Sequence, residues 1–223
     1  MKIVIINGSP RKNGVTAEAL HMIESNLVNE DINVEFYDLS EINMSHCIGC
    51  CSCYTTGCCC IKDDAEKLSQ IIAESDGLVF GSPTYASNVS GLMKDFIDRG
   101  HFVIEQLLHD KYCIIVTTGE NYGNKNASKV LKNLVLYSGG KICDSITFKV
   151  PFNDVDFVRD ELGNRCHQSS GKLLTSLKSK KKFLLQTMIH NIVLTIGIRP
   201  LIKRKGALYQ GVIDKWKSKG ITI

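Results

Sequence analysis

Short apolar runs alternate with stretches of helical spacing over the first two thirds of the chain. Residues 2–6, KIVII, are β-branched and apolar, as a buried strand requires. NVEFYDL (33–39), GLVFGSP (77–83), KYCIIVTTG (111–119) and KICDSITFKV (141–150) read the same way. Between them, AEALHMIESNLV (17–28) places Leu20, Ile23 and Leu27 on one helical face. DDAEKLSQIIAESD (63–76) opens with two acids, which suit the positive end of a helix. SGLMKDFIDRGHFVIEQLL (90–108) predicts one long helix, and NASKVLKNLVLYSGG (126–140) another, stopped by glycine. Five strands alternating with helices predict a parallel sheet covered on both faces, a single doubly wound α/β domain.

The last quarter follows a different pattern. In FLLQTMIHNIVLTIGI (183–198), Leu185, Met188, Ile189, Ile192, Val193 and Ile196 fall on one helical face. Gln186, Thr187, His190, Asn191 and Thr195 fall on the other, which predicts an amphipathic helix rather than a bilayer span. No run of about 18 uninterrupted apolar residues occurs, so no transmembrane segment is expected.

Charge sharpens this division. Residues 1–169 hold 15 basic and 22 acidic side chains, a net −7. Residues 170–223 hold 12 basic side chains and one acid, Asp214, a net +11. The shift predicts a domain over 1–169 and a basic helical extension over 170–223. Such a tail could contact nucleic acid or anionic lipid. It could also neutralise the acidic domain within a homo-oligomer, a dimer or larger. The polar face of 183–198 lacks the lysines of membrane-surface helices, which favours the oligomer contact and gives no reason to expect nucleic acid. The chain opens MKIVIINGSP, without a basic-then-apolar leader, so a cytoplasmic protein with reduced thiols is expected.

Ligands of an open parallel sheet bind beyond the carboxyl ends of its strands. Three loops lie there. GSPRKNGVT (8–16) leads from strand to helix, where backbone N–H groups and the helix dipole can receive a phosphate. Ser9 and Thr16 add hydroxyls and Arg11 adds charge, but the spacing is neither GxGxxG nor Walker A. GSPTYASNVSG (81–91) brings a rigid turn and an aromatic to the same edge, and TTGENYG (117–123) is small enough for close backbone approach.

Taken together, GSPRKNGVT and GSPTYASNVSGLMKDFIDR resemble the flavodoxin-like NAD(P)H-dependent FMN reductases over roughly residues 1–150. The resemblance implies a five-stranded flavodoxin-like sheet. It implies an FMN phosphate held by Ser9, Arg11, Asn13, Gly14, Val15 and Thr16. It places the isoalloxazine against Pro83, Thr84, Tyr85, Ala86 and Asn88, with Thr118 and Gly119 completing the pocket. The implied activity is an NAD(P)H oxidoreductase in which no catalytic side chain is named and the electron acceptor is left open. An electron carrier that never meets nicotinamide, or a regulatory protein acting through its basic tail, are the competing classes.

CIGCCSCYTTGCCC (47–60) carries seven of the ten cysteines. A disulfide framework, a metal or iron–sulfur site and a loop of free thiols are each compatible with such a density; reduced thiols argue against the first. Cys47, Cys50, Cys53 and Cys59 follow C-x2-C-x2-C-x5-C, close to a bacterial ferredoxin run but with a longer last gap and no following proline. Two C-x2-C pairs about 15–20 residues apart, the zinc-ribbon pattern, are absent. The segment resembles the compact motif of the iron–sulfur flavoproteins, which implies a [4Fe–4S] cluster on those four thiols. Cys51, Cys58 and Cys60 are surplus, and Cys58 or Cys60 could replace Cys59. Cys113 and Cys143 fall in strands as small hydrophobes, while Cys166 and the six histidines carry no motif.

Overall fold

In the computed structural model, which describes residues 1–151, 156 and 158–223, five parallel strands stand side by side. They are β1 (Lys2–Asn7), β2 (Asn33–Asp38), β3 (Gly77–Tyr85), β5 (Tyr112–Gly119) and β6 (Lys141–Lys149), in the order β2-β1-β3-β5-β6. A two-residue strand, β4 (Asn88–Val89), folds back antiparallel on the end of β3. This is the flavodoxin-like order, and its switch point lies between β1 and β3.

Strand alternation sorts β1 into two layers. Ile3 and Ile5 pack with α1 (Val15–Val28) and α7 (Arg159–Lys178). Val4 and Ile6 pack with α3 (Asp64–Glu74), α4 (Gly91–Arg99) and α6 (Asn124–Tyr137). Both layers are fully buried, which is why the parallel strands read as unbroken apolar runs. Cys113 is buried there, and Cys143 is the extra residue of a bulge, because Cys113 faces Ile142 and Ile114 faces Asp144.

The helix expected over 90–108 is two. α4 ends at Arg99, and His101 (φ 49°) turns the chain through the left-handed region into α5 (Phe102–Glu105). The break lets Phe102 fold back against Phe80 and Phe96, with ring centroids 6.3 and 5.1 Å apart. Gly100 permits this approach, since a Cβ there would sit 2.2 Å from the Phe102 ring.

The charge shift at residue 170 falls inside α7, whose Leu173, Leu174 and Leu177 share a core with Ile3. Beyond α7 come α8 (Leu184–Ile192), a π-helical turn (Val193–Ile198), α9 (Arg199–Lys205), a 3-10 turn and α10 (Gln210–Ser218). The orientation of 183–198 departs from its pattern. Gln186 faces inward and bonds the N–H and C=O of Ile142 on the edge strand (2.7 and 3.0 Å). His190 is buried against the Leu136 carbonyl (3.2 Å). Leu184, Leu185, Met188, Ile192 and Ile196 are left exposed. The run Leu184–Ser218 is long and apolar enough to cross a membrane by length and hydropathy. These inward polar bonds instead tie it to the sheet edge. Leu194, Ile198, Ile202, Val212, Trp216 and Ile221 form a third core, against Tyr54, Val103 and Ile104.

Candidate functional site

The carboxyl edge of the sheet carries a cleft of 390 Å³ at the switch point. Its lining includes nine of the thirteen residues expected there: Ser9, Arg11, Val15, Thr16, Pro83, Thr84, Tyr85, Thr118 and Gly119. Asn13 and Gly14 belong to the first loop without lining the cleft, and Ala86 and Asn88 belong to the β3–β4 hairpin. That hairpin turns through Ala86 and Ser87, both left-handed (φ 47° and 61°), and aims Tyr85 outward, 45% exposed.

Local hydrogen bonds shape the first loop. The Ser9 N–H donates to Asn7 Oδ1 (3.0 Å), the Arg11 N–H to Ser9 Oγ (3.1 Å), and Ser9 Oγ donates to the Arg11 carbonyl (3.0 Å). Gly14 precedes α1 and offers no side-chain cap, so the positive end of that helix stays available. Arg11 is exposed at the mouth of the cleft. A buried bond of 2.6 Å between Thr16 Oγ1 and Thr118 Oγ1 couples the first loop to the third.

Among the described residues, two buried groups in this region lack a hydrogen-bond partner, Thr84 Oγ1 and Asn124 Oδ1. They meet around Gly119, where a Cβ would lie 2.3 Å from Asn124 Oδ1 and 3.0 Å from Thr84 Cβ. Asn124 is oriented by its amide, which donates to the carbonyls of Gly119 (3.2 Å) and Phe148 (2.8 Å). A buried polar atom without a partner is costly, so a donor and an acceptor flanking Gly119, Thr84 at the cleft and Asn124 at the adjoining cavity, suit a planar ligand rich in ring nitrogens and carbonyls laid against that glycine. An anion suits the other end, at Arg11 and the start of α1. The residues present thus fit FMN. Glu120 and Val150 also line the cleft, and Asn124 lines the adjoining cavity, none of them expected from the sequence. Glu120 lies within the loop that the sequence singled out, whereas Val150 and Asn124 carried no signal before their strand and helix were placed.

Beside the cleft lies a cavity of 890 Å³ around the start of α6. Lys125, Lys132, Lys149 and Arg165 line it with a single acid, Glu161.

The cysteine loop lies elsewhere, before α3, and contains the short helix α2 (Ser52–Thr56). All ten cysteines are free thiols. Cys53 is buried, Cys59 half-buried, and Cys47, Cys50, Cys51, Cys58 and Cys60 exposed. Burial pushes the Cys53 thiol up to about 12, reinforced by Glu105 and by the neighbouring Cys59 and Cys50. Cys50 is held below the ordinary thiol range by the Ser52 backbone and by Cys60, whose Sγ lies 3.3 Å away. No three His, Cys, Asp or Glu side chains among the described residues converge on one metal-ion position. A cubane distributes its thiolates over four irons, so it does not require such a point. The all-thiolate donor set, seven cysteines within one short loop with Cys53 buried beside Cys50 and Cys59, fits iron–sulfur chemistry.

The tail grips this loop. Tyr54 stacks on Tyr209 (4.9 Å), Thr55 Oγ1 donates to the Leu208 carbonyl (2.9 Å), and α10 approaches Gly57 through Gly211. A Cβ on Gly211 would sit 2.0 Å from the Gly57 nitrogen. On the opposite side Arg99 bonds Asp63 and Cys59.

Residues 1–153 match the NADPH-dependent FMN reductase family. An iron–sulfur flavoprotein of Clostridioides difficile is 39% identical over 225 aligned positions, covering 99% of this chain and 100% of the relative. One from Archaeoglobus fulgidus is 30% identical, covering 99% of each. The solved structure of a flavone reductase superposes with a TM-score of 0.65 at 21% identity, covering 81% of this chain and 64% of the other.

Proposed function

This chain belongs to the NADPH-dependent FMN reductase family, in its iron–sulfur flavoprotein branch, and from that premise we propose that it takes hydride from a reduced nicotinamide and passes single electrons onward through the cysteine loop. The observation that carries the flavin half is the pair of unpartnered buried groups, Thr84 Oγ1 and Asn124 Oδ1, around Gly119. Bound FMN supplies the chemistry, accepting a two-electron hydride and releasing electrons singly, while a [4Fe–4S] cluster carries one electron at a time.

The chain's own residues bind and orient. The start of α1 with Ser9, Thr16 and Arg11 would receive the phosphate, Pro83, Thr84 and Tyr85 would lie along the ring, and Asn124, which lines the adjoining cavity, would brace Gly119 from behind. Lys125, Lys132, Lys149 and Arg165 give the adjoining cavity a charge suited to a dinucleotide's phosphates. Cys47, Cys50, Cys53 and Cys59 hold the cluster in this reading, and reduced cytosolic surroundings keep them competent. The exposed stripe of α8 is the self-association surface we assign to a dimer or larger homo-oligomer.

Anaerobic mixing of the FMN-loaded chain with NADPH or NADH tests the reading. Flavin absorbance should bleach with a rate that saturates in nicotinamide. Flavin that stays oxidised under either reductant, yet is bleached by dithionite, would make the protein an electron carrier instead.

A further inference from the structure

We propose that Arg99 is a positioning residue for the redox loop: its guanidinium holds Cys59, rather than Cys58 or Cys60, as the fourth thiolate and raises the reduction potential of the group bound there. The inference rests on the cluster reading above and adds a residue that the cysteine motif does not contain.

Arg99 is the last residue of α4, and its side chain is only 1% exposed. Its Nη1 donates to the Ser45 carbonyl (2.6 Å) and to Asp63 Oδ2 (2.7 Å), and its Nη2 donates to Asp63 Oδ1 (2.7 Å). Asp63 also accepts from the N–H groups of Ser45 and Ala65, so it caps α3 and anchors the start of the cysteine loop. Burial alone would raise the Asp63 carboxyl, yet Arg99 and those N–H groups hold it below its ordinary range. The pair is thus a fixed fork rather than a mobile surface contact.

Ser45 and Asp63 take three of the five N–H groups, which leaves two donors for the loop. Nη2 lies 3.5 Å from Cys59 Sγ. The Arg99 Nε–H is buried and has no partner among the described residues, an unsatisfied charged donor that an anionic sulfur group would accept. Cys58 and Cys60 are exposed, and Cys60 Sγ lies 3.3 Å from Cys50 Sγ. Of the three candidates for the last ligand, only Cys59 is turned toward a buried cation. A positive charge fixed beside one ligand favours the more negative, reduced state of a cluster, and hydrogen bonds to the sulfurs are a known lever on potential.

The test uses full-length, anaerobically purified protein, assayed for iron, sulfide and FMN. Cys59→Ser should lose most of the iron while retaining FMN. Cys58→Ser and Cys60→Ser should keep about four irons, the content of a [4Fe–4S] group. Because Arg99→Gln alone would strand Asp63, it is paired with Asp63→Asn, and Arg99→Lys is measured beside it. In an EPR-monitored redox titration the neutral pair should titrate at a lower potential than wild type, while Arg99→Lys, keeping the charge, should recover most of the difference. Iron lost in Cys60→Ser but retained in Cys59→Ser would overturn the ligand choice. A neutral pair with unchanged potential would overturn the tuning role. Wild-type protein that binds FMN but holds no iron would refute the cluster reading itself, a result distinct from either.

Discussion

At the residue scale, the cleft depends on small groups whose loss is specific. Thr16→Val removes the 2.6 Å bond to Thr118 and leaves a buried hydroxyl unpaired. The Thr16 hydroxyl is assigned to the FMN phosphate, and losing a hydrogen bond to a charged group costs about 1–3 kcal/mol, so FMN affinity should fall by about 5- to 150-fold in a fluorescence titration. Gly119→Ala drives a methyl to within 2.3 Å of Asn124 Oδ1 and into the space between Asn124 and Thr84. That variant should fold normally by circular dichroism and bind FMN at least tenfold more weakly. Affinity equal to wild type would show that the ring does not approach Gly119. Ser9 and Thr16 could be nominated from loop position and residue type, whereas Gly119 was nominated only through the family resemblance. Asn124 was not, because its role comes from an amide oriented by the Phe148 carbonyl, a contact between elements far apart in sequence.

At the element scale, α8 is held to the core by polar bonds that respond to pH. Burial holds His190 and His109 below the ordinary imidazole range, and their rings lie 6.2 Å apart. Both are therefore neutral in the folded chain and become charged on unfolding below about pH 6.5. The stability they contribute is fully present above that pH and is lost as pH falls through it toward their lower folded values. Exposed His46, raised by Asp95, works in the opposite direction, so the comparison needs a variant. The denaturation midpoint should drop between pH 7.5 and 5.5, and His190→Gln should flatten that slope. An identical slope in the variant would show that His190 is not a source. α10 provides a second test: Gly211→Val collides with the Gly57 backbone and should loosen the cysteine loop, exposing Cys53 to alkylation while FMN stays bound. The amphipathic pattern of 183–198 was visible in the sequence, but which face turns inward was not. Gln186 and Ile142 exchange two hydrogen bonds and His190 is buried, so the polar face turns inward and the stripe of leucine and isoleucine outward, and periodicity carries no information about such bonds.

At the scale of the whole molecule, the alternation of apolar runs and helical stretches was sufficient for the five-stranded parallel sheet, because strands buried on both faces are written as unbroken apolar runs. The break after Arg99 was hidden because Gly100 and His101 interrupt an otherwise helical pattern to seat Phe102, a tertiary demand. The role of the tail was partly hidden for the same reason. Its charge suggested a separate extension, whereas α7 covers the sheet and α10 clasps the cysteine loop. What remains uncovered is the α8 stripe, where Leu185 and Ile192 are 67% and 50% exposed. Leu185→Glu combined with Ile192→Glu changes two exposed side chains of that stripe and should lower the mass seen in light scattering. A mass unchanged from an oligomeric wild type would place the subunit contact on another face.

The central claim is that the switch-point cleft is an FMN site, and an equilibrium titration tests it most directly. Purified apoprotein is titrated with FMN while flavin fluorescence is followed, with Gly119→Ala in parallel. The account predicts quenching that saturates at one FMN per chain with a Kd of about 1 μM or tighter, equivalent to about 8 kcal/mol, and a weakened curve for the variant. Folded wild-type protein that leaves FMN fluorescence unchanged at micromolar concentration would contradict it.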